Sequence, residues 1–151
     1  MSKQYSLEKS PLYRLRNRRK LAERLLLEPR YFTVSHDYIY NEFERRKSDG
    51  GVRHFAEPPH ELKRIQKRIH KLMQRIETPE WVKAGKSCES YVTNCKMHLD
   101  AKYMRTMDIS KFYDSAERKY VYRMFKETFK MAEDIAWLMT ELVMYEDMLP
   151  T

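Results

Sequence analysis

The chain has 151 residues and a net charge of +8; 42% of its residues are hydrophobic, 13% aromatic and 34% charged, with only 3 glycines. That length fits one domain or part of a larger one and can bury a core, and the apolar and aromatic content excludes wholesale disorder. No run reaches the ~18 apolar residues that a membrane span needs, and the most apolar stretch, Met131 to Met144, is broken by Glu133, Asp134 and Glu141. The charge is uneven. Residues 1–76 carry 19 Lys/Arg against 9 Asp/Glu, a balance of +10, and residues 77–151 carry 11 against 13, a balance of −2. Such asymmetry suits a polyanion groove beside a carboxylate site better than a merely solvated surface.

Taken in chain order, residues 11–27 read as an amphipathic helix that starts at Pro11 and is stopped by Pro29. Leu12, Leu15, Leu21, Leu25 and Leu26 alternate there with arginines, among them Arg14 and Arg18. The aromatic stretch Tyr31 to Tyr40 is expected to pack on the core as a short helix or loop. Asn41 to Lys47 and Val52 to Glu57 read as two strands joined by the turn Ser48-Asp49-Gly50-Gly51. After Pro58-Pro59 comes the clearest helix, about 59–76, with Leu62, Ile65, Ile69, Leu72, Met73 and Ile76 at helical spacing. Its other face carries Lys63, Arg64, Lys67, Arg68, Lys71 and Arg75 with no acid among them, so intrahelical ion pairs do not relieve it. A turn at 84–87 should lead into a helix from about 88 to 99, with Ser87 favoured over Ser90 as its cap. Tyr103 to Ile109 reads as a strand, and helices follow over about 117–129 and 131–147. The expectation is an α+β, mostly helical fold with one small antiparallel hairpin.

The two cysteines, Cys88 and Cys95, would lie about 10 Å apart along a helix, which is too far for a disulfide. With His98 they still lack a fourth zinc ligand. Free thiols and the lack of an apolar signal core point to the cytoplasm.

The candidate chemistry is phosphoryl transfer. Asp108, at the end of the expected strand, can ligate a divalent metal through its carboxylate, and the carbonyl of Ile109 can add a second hard oxygen. Lys47 and Arg53 flank the hairpin turn and combine a point charge with a planar donor fork, a pair suited to a triphosphate. Tyr113 could wall a sugar pocket and reject a 2′-hydroxyl by sterics. Phe112 is expected to face the core beside that pocket. Asp108 should meet Lys47 and Arg53 across one shared hollow. Arg14, Arg18, Lys63, Arg64, Lys67 and Lys71 are the candidate nucleic-acid contacts.

The order of these pieces resembles the bacterial reverse transcriptases of the retron and group II intron type. The matching residues are Lys47, Gly50-Gly51-Val52-Arg53, Pro58, Leu62-Lys63, Ile65-Gln66, Ile69, Gly85-Lys86-Ser87, Asn94, His98, Asp108-Ile109, Phe112-Tyr113 and Ser115. Leu149-Pro150 is similar to the start of that family's next motif. The likeness runs over about residues 40–151. It implies three regions of a right-hand polymerase: a basic helical extension (1–40), fingers (41–100) and the start of a truncated palm (101–151). It also implies that Asp108 is the first catalytic carboxylate, Lys47 and Arg53 the triphosphate contacts with Phe112 and Tyr113 beside them, and Tyr113 the gate against ribonucleotides. Mg²⁺, an RNA template and primer, and dNTPs would be the cofactor and partners. The family pattern often has an acid where this chain has Lys111. The family's paired aspartates have no counterpart here, so the chain is expected to polymerise nothing alone. It would be a fragment or half of a split enzyme completed by a second chain. The alternative is an RNA-binding module without chemistry. The cellular role that the resemblance implies is phage defence, intron mobility or another.

Overall fold

The computed structural model describes residues 4–46, 48, 50–84, 86, 89–110 and 112–150. In chain order it contains helix α1 (Arg18–Leu25), strands β1 (Asn41–Arg46) and β2 (Val52–Glu57), and helices α2 (His60–Met73), α3 (Tyr91–Lys96), α4 (Phe112–Ser115), α5 (Arg118–Arg123) and α6 (Glu133–Val143). The class is the expected one: mostly helical, with one antiparallel hairpin. Among the described residues no helix is long and apolar enough to cross a membrane.

The first helix is shorter than its leucine pattern suggested. Arg14 adopts φ +55° and donates its N–H to the Phe129 carbonyl at 2.8 Å, a left-handed backbone that no helix interior accommodates. Asn17 then caps a new start, its side chain accepting from the N–H groups of Arg19 and Lys20 at 2.8 and 3.4 Å. Leu12 and Leu15 are nonetheless buried, reaching the core from a turn. Leu26 ends α1 at φ +60°.

In α2 the pattern and the structure agree. Leu62, Ile65, Ile69 and Leu72 are all buried. They meet Leu21 and Leu25 of α1, Ile135, Met139 and Leu142 of α6, and Phe32, Phe125 and Phe129 in one core. That core draws on residues from every third of the chain. Gln66 tightens the packing by donating to the Leu142 carbonyl at 2.9 Å. The N-terminal strand-like segment straps across the far end of α2. Tyr5 pairs with Ile76, and its hydroxyl donates to the Leu72 carbonyl at 2.9 Å. The aromatic stretch packs on the core as expected: Phe32 is buried, and Tyr31, Tyr38 and Tyr40 lie half-buried against it. Burial, and then its bond to the Tyr38 hydroxyl, pushes the Tyr31 phenol well above its ordinary range.

Three further expectations change. Helix α3 starts at Tyr91 rather than 88. Its cap is Ser90, which forms a reciprocal capping box with Thr93, while Ser87 and Cys88 lie outside the described residues. Cys95 is a free, exposed thiol. Tyr103 to Ile109 is not a strand: it is exposed coil, with Tyr103 94% and Met107 86% accessible. A strand needs a ladder partner for its backbone groups, and among the described residues the sheet consists of β1 and β2 alone. Phe112 does not face the core but is 51% exposed. The buried side of Met131 to Met144, including Met131, Ile135, Ala136 and Met139, packs against the other helices. The adaptable thioethers fill that core.

Candidate nucleic-acid interface

The hairpin register makes two chemically different faces. Phe43 pairs with Phe55, Arg45 with Arg53 and Asn41 with Glu57, so these six share one face. Glu42, Glu44, Arg46, Val52, His54 and Ala56 share the other. On the first face the two Phe rings stack at 5.3 Å, and the Arg45 guanidinium lies over both, 5.3 and 5.6 Å from their centroids. Arg45 and Arg53 sit directly opposite each other, a like-charge pair that opposes hairpin stability until an anion lies between them. Gly50, at φ +83°, supplies the left-handed position that the turn requires.

The other face is turned toward the segment that follows α6. The Tyr145 hydroxyl donates to Glu42, and its ring lies 4.0 Å from that of Tyr40. The Glu42 carboxylate raises the Tyr145 phenol to about 12, because ionising it would lose that hydrogen bond and set two anions side by side. The His54 Nδ1 lies 3.0 Å from Glu44. A hollow of about 490 Å³ between this face and the segment is lined by Glu42, Glu44, His54, Tyr145 and Glu146 and by the apolar Phe43, Phe55, Ala56, Met148, Leu149 and Pro150, so its charged groups are mainly acidic while much of its wall is apolar. The Tyr40 hydroxyl is buried without a well-formed hydrogen bond, since the neighbouring Gln66 amide is directed at Leu142.

On its cationic side the hairpin meets α2 across a second hollow, of about 540 Å³. Arg45 contributes from β1, and Lys63, Gln66, Lys67 and His70 contribute from successive turns of α2. Phe43, Ala56, Pro58 and Pro150 supply apolar lining. Among the described residues that line it, Glu57 is the one carboxylate and is tied to Lys63 in an ion pair. That contact holds the Glu57 carboxyl below the usual carboxylate range. The hollow is therefore net cationic.

The predicted site residues divide by location. Lys63 and Lys67 line the cationic hollow. Arg64 and Lys71 are exposed on the same helix and, with Lys67, carry no ion pair among the described residues. Arg14 is exposed, its guanidinium 5.4 Å from the Tyr13 ring. Arg18 is engaged within the fold, bonded to Asp134 at 3.4 Å and to the Phe32 carbonyl at 3.3 Å. Arg53 is exposed beside the turn, and Lys47 lies outside the described residues. Asp108 and Ile109 are exposed on the coil before α4. Tyr113, half-exposed, stands edge-on to Phe112 at 5.5 Å, and its carbonyl accepts from the Leu149 N–H at 3.3 Å. Neither of the two hollows is lined by Asp108, Arg53, Phe112 or Tyr113.

Among the described residues no three His, Cys, Asp or Glu side chains could hold a metal ion together. Asp108 with the Ile109 carbonyl offers hard oxygens, but one carboxylate does not fit a complete divalent site. Arg45 and His70 were missed by the sequence reading. The signal for Arg45 was the two-residue period of β1, which aligns it with Phe43. For His70 it was the helical step from Gln66 and Lys67.

The hairpin and α2 thus define an α+β scaffold with a cationic, partly apolar surface. No family model matches the chain. Over 99 residues, 65% of its length, the chain is 31% identical to the retron Se72 reverse transcriptase of Salmonella heidelberg (strain 579083-10), and the match covers 26% of that protein. The chain therefore spans about a quarter of the curated relative that it matches, and its similarity is to the retron-type reverse transcriptases, as the ordered motifs indicate.

Proposed function

We propose that the chain is the fingers and early palm of an RNA-directed DNA polymerase of the retron type, a part that grips nucleic acid and nucleotide but polymerises nothing alone. The observation that carries this reading is the two-faced hairpin, whose Arg45 lines a cationic hollow against α2 while Arg53 stays exposed on the same face, in a chain similar to a retron reverse transcriptase. Arg53, with Lys47, binds the triphosphate; two cations spread its charge and hold it in register with a template base. Tyr113 walls the sugar, with Phe112 stacked edge-on beside it. Asp108 is the first of several carboxylates that a Mg²⁺ site needs, the others coming from outside the described residues. Lys63, Arg64, Lys67, Lys71, Arg14 and Arg18 contact the RNA backbone. The partners are an RNA template with its primer and dNTPs, and a further polypeptide segment or second chain completes the palm.

The test has two arms. The 151 residues alone, given primer, RNA template, dNTPs and Mg²⁺, should give no extension, and Mg²⁺-dependent synthesis would refute the incomplete-site reading. In the completed polymerase, Asp108→Asn should abolish synthesis and leave RNA affinity unchanged. Synthesis that survives Asp108→Asn removes that residue from the mechanism.

A further inference from the structure

We propose that Arg118, which no motif singles out, is a positioning residue for nucleotide selection: it clasps the turn between Tyr145 and Met148 and thereby fixes the backbone that carries Tyr113. This rests on the reading of Tyr113 as the wall of the sugar pocket and adds to it the device that keeps the wall in place.

Three observations carry it. The first is how much one guanidinium holds. Arg118 opens α5, and its Nε donates to the Glu146 carbonyl at 3.1 Å and to the Asp147 carboxylate at 3.3 Å. Its terminal nitrogens donate to the Glu141 carboxylate and again to the Glu146 carbonyl, and the group lies 5.8 Å from the centre of the Trp137 ring. The Arg118 side chain is 24% exposed, against 52% for Arg18 and 62% for Arg123 in their ion pairs, so water competes less for this fork than for theirs. A planar fork serves a carbonyl and two carboxylates at once, which a compact ammonium does not match. The second is what the clasp grips. Tyr145 and Met148 donate their N–H groups to each other's carbonyls at 3.0 and 3.1 Å, and Glu146 between them has φ +51°. A residue with a side chain keeps that left-handed backbone only where its surroundings hold it there, and the Glu146 carbonyl is the atom that Arg118 meets twice. The third is closure. Leu149, just past the turn, donates its N–H to the Tyr113 carbonyl at 3.3 Å. Helix α4, with 4 residues, is too short to keep its shape unaided. The chain from Tyr113 to Arg118, the clasp on Glu146 and Asp147, and the Leu149 bond therefore form a closed ring around the Tyr113 backbone. The same turn docks on the hairpin, where the Tyr145 hydroxyl donates to Glu42 of β1, so Arg118 links the sugar wall to the strand pair that carries Arg53.

The experiment has two arms. In the whole chain, hydrogen exchange at the Leu149 amide should be about tenfold faster in Arg118→Gln. In Arg123→Gln, which removes an exposed ion pair from the same helix, it should change less than about twofold. An unchanged Leu149 amide in Arg118→Gln, or equal acceleration in both variants, overturns the clasp. In the completed polymerase, the preference for a dNTP over the matching rNTP is measured as a ratio of kcat/KM values. It should fall about tenfold in Arg118→Gln and in Arg118→Lys, and stay within about twofold of wild type in Ile135→Val, a change in the buried core. A smaller folded fraction scales both substrates alike and cancels in this ratio, so a merely structural Arg118 would leave it unmoved, and that result overturns the proposal. Full preference in Arg118→Lys would show that charge suffices without the fork and overturns it too. Should Arg118→Gln fail to fold, Arg118→Lys decides both arms. Tyr113→Ala in the same assay judges the sugar-wall reading separately. Intact preference there refutes that reading whatever Arg118 does, and relaxed preference there with none in Arg118→Gln refutes the role of Arg118 alone.

Discussion

Replacing Arg53 by glutamine should move hairpin stability and anion affinity in opposite directions. Arg45 stands directly opposite Arg53 in the ladder, and like charges so placed cost roughly 0.2–1 kcal/mol. A Coulomb estimate agrees: two unit charges about 7 Å apart in water repel by roughly 0.6 kcal/mol. Arg53→Gln removes that repulsion and keeps the side-chain length, so the hairpin should gain a few tenths of a kcal/mol, roughly half the pair energy. The same substitution removes a charge-assisted hydrogen bond worth about 1.5–3 kcal/mol to a bound triphosphate, which is roughly ten- to a hundredfold in affinity. Hydrogen exchange at the β1 and β2 amides reads the first effect, and titration with a dNTP reads the second. Faster exchange in the variant would show that Arg53 supports the hairpin rather than straining it. Unchanged dNTP affinity would remove Arg53 from the triphosphate site.

Three further outcomes follow from the packing and the charged contacts. Ile65→Ala, at a fully buried position of α2, should destabilise the chain by about 2–5 kcal/mol, read as a fall in urea midpoint with little change in slope; a loss under about 1 kcal/mol would mean that α2 is not central to the core. Spectrophotometric titration should find Tyr145 ionising near 12, against an ordinary 10.0, and Tyr145→Phe should remove its contribution from the curve. Because the folded chain holds this proton to higher pH than the unfolded chain, the Tyr145–Glu42 contact contributes fully below about pH 10 and is lost as pH rises toward about 12. Glu57 has the opposite sign: its carboxyl is held below 4.5 by Lys63, so the junction of hairpin and α2 should be whole above that pH and loosen below it, and Glu57→Gln should erase this acid dependence. Acid exchange rates at the β2 amides that are the same in Glu57→Gln and wild type would refute the coupling.

The hairpin and α2 could be read from residue order because their signals are local and agree with their surroundings. Turn residues stand between two short strands, and apolar residues recur at helical spacing under a cationic face. The same applies to Met131, Met139 and the apolar side of α6. Elsewhere local pattern misled. Leu12 and Leu15 have helical spacing, but Arg14 bonds to Phe129, far along the chain, and turns the backbone the wrong way for a helix. Tyr103 to Ile109 has strand composition but no ladder partner among the described residues.

Residue order thus set the identities of the basic and aromatic groups, the turn that joins the strands and the side of α2 that is buried, since each depends on neighbours within a few positions. Folding in three dimensions decided which cations share a hollow. Arg45 meets Lys67 and His70 only because β1 is laid beside α2, whereas Arg18 is drawn to Asp134 on α6 and Asp108 is left on open coil. Contacts between distant segments are chosen by the burial of the whole core, and no short stretch of chain carries that information.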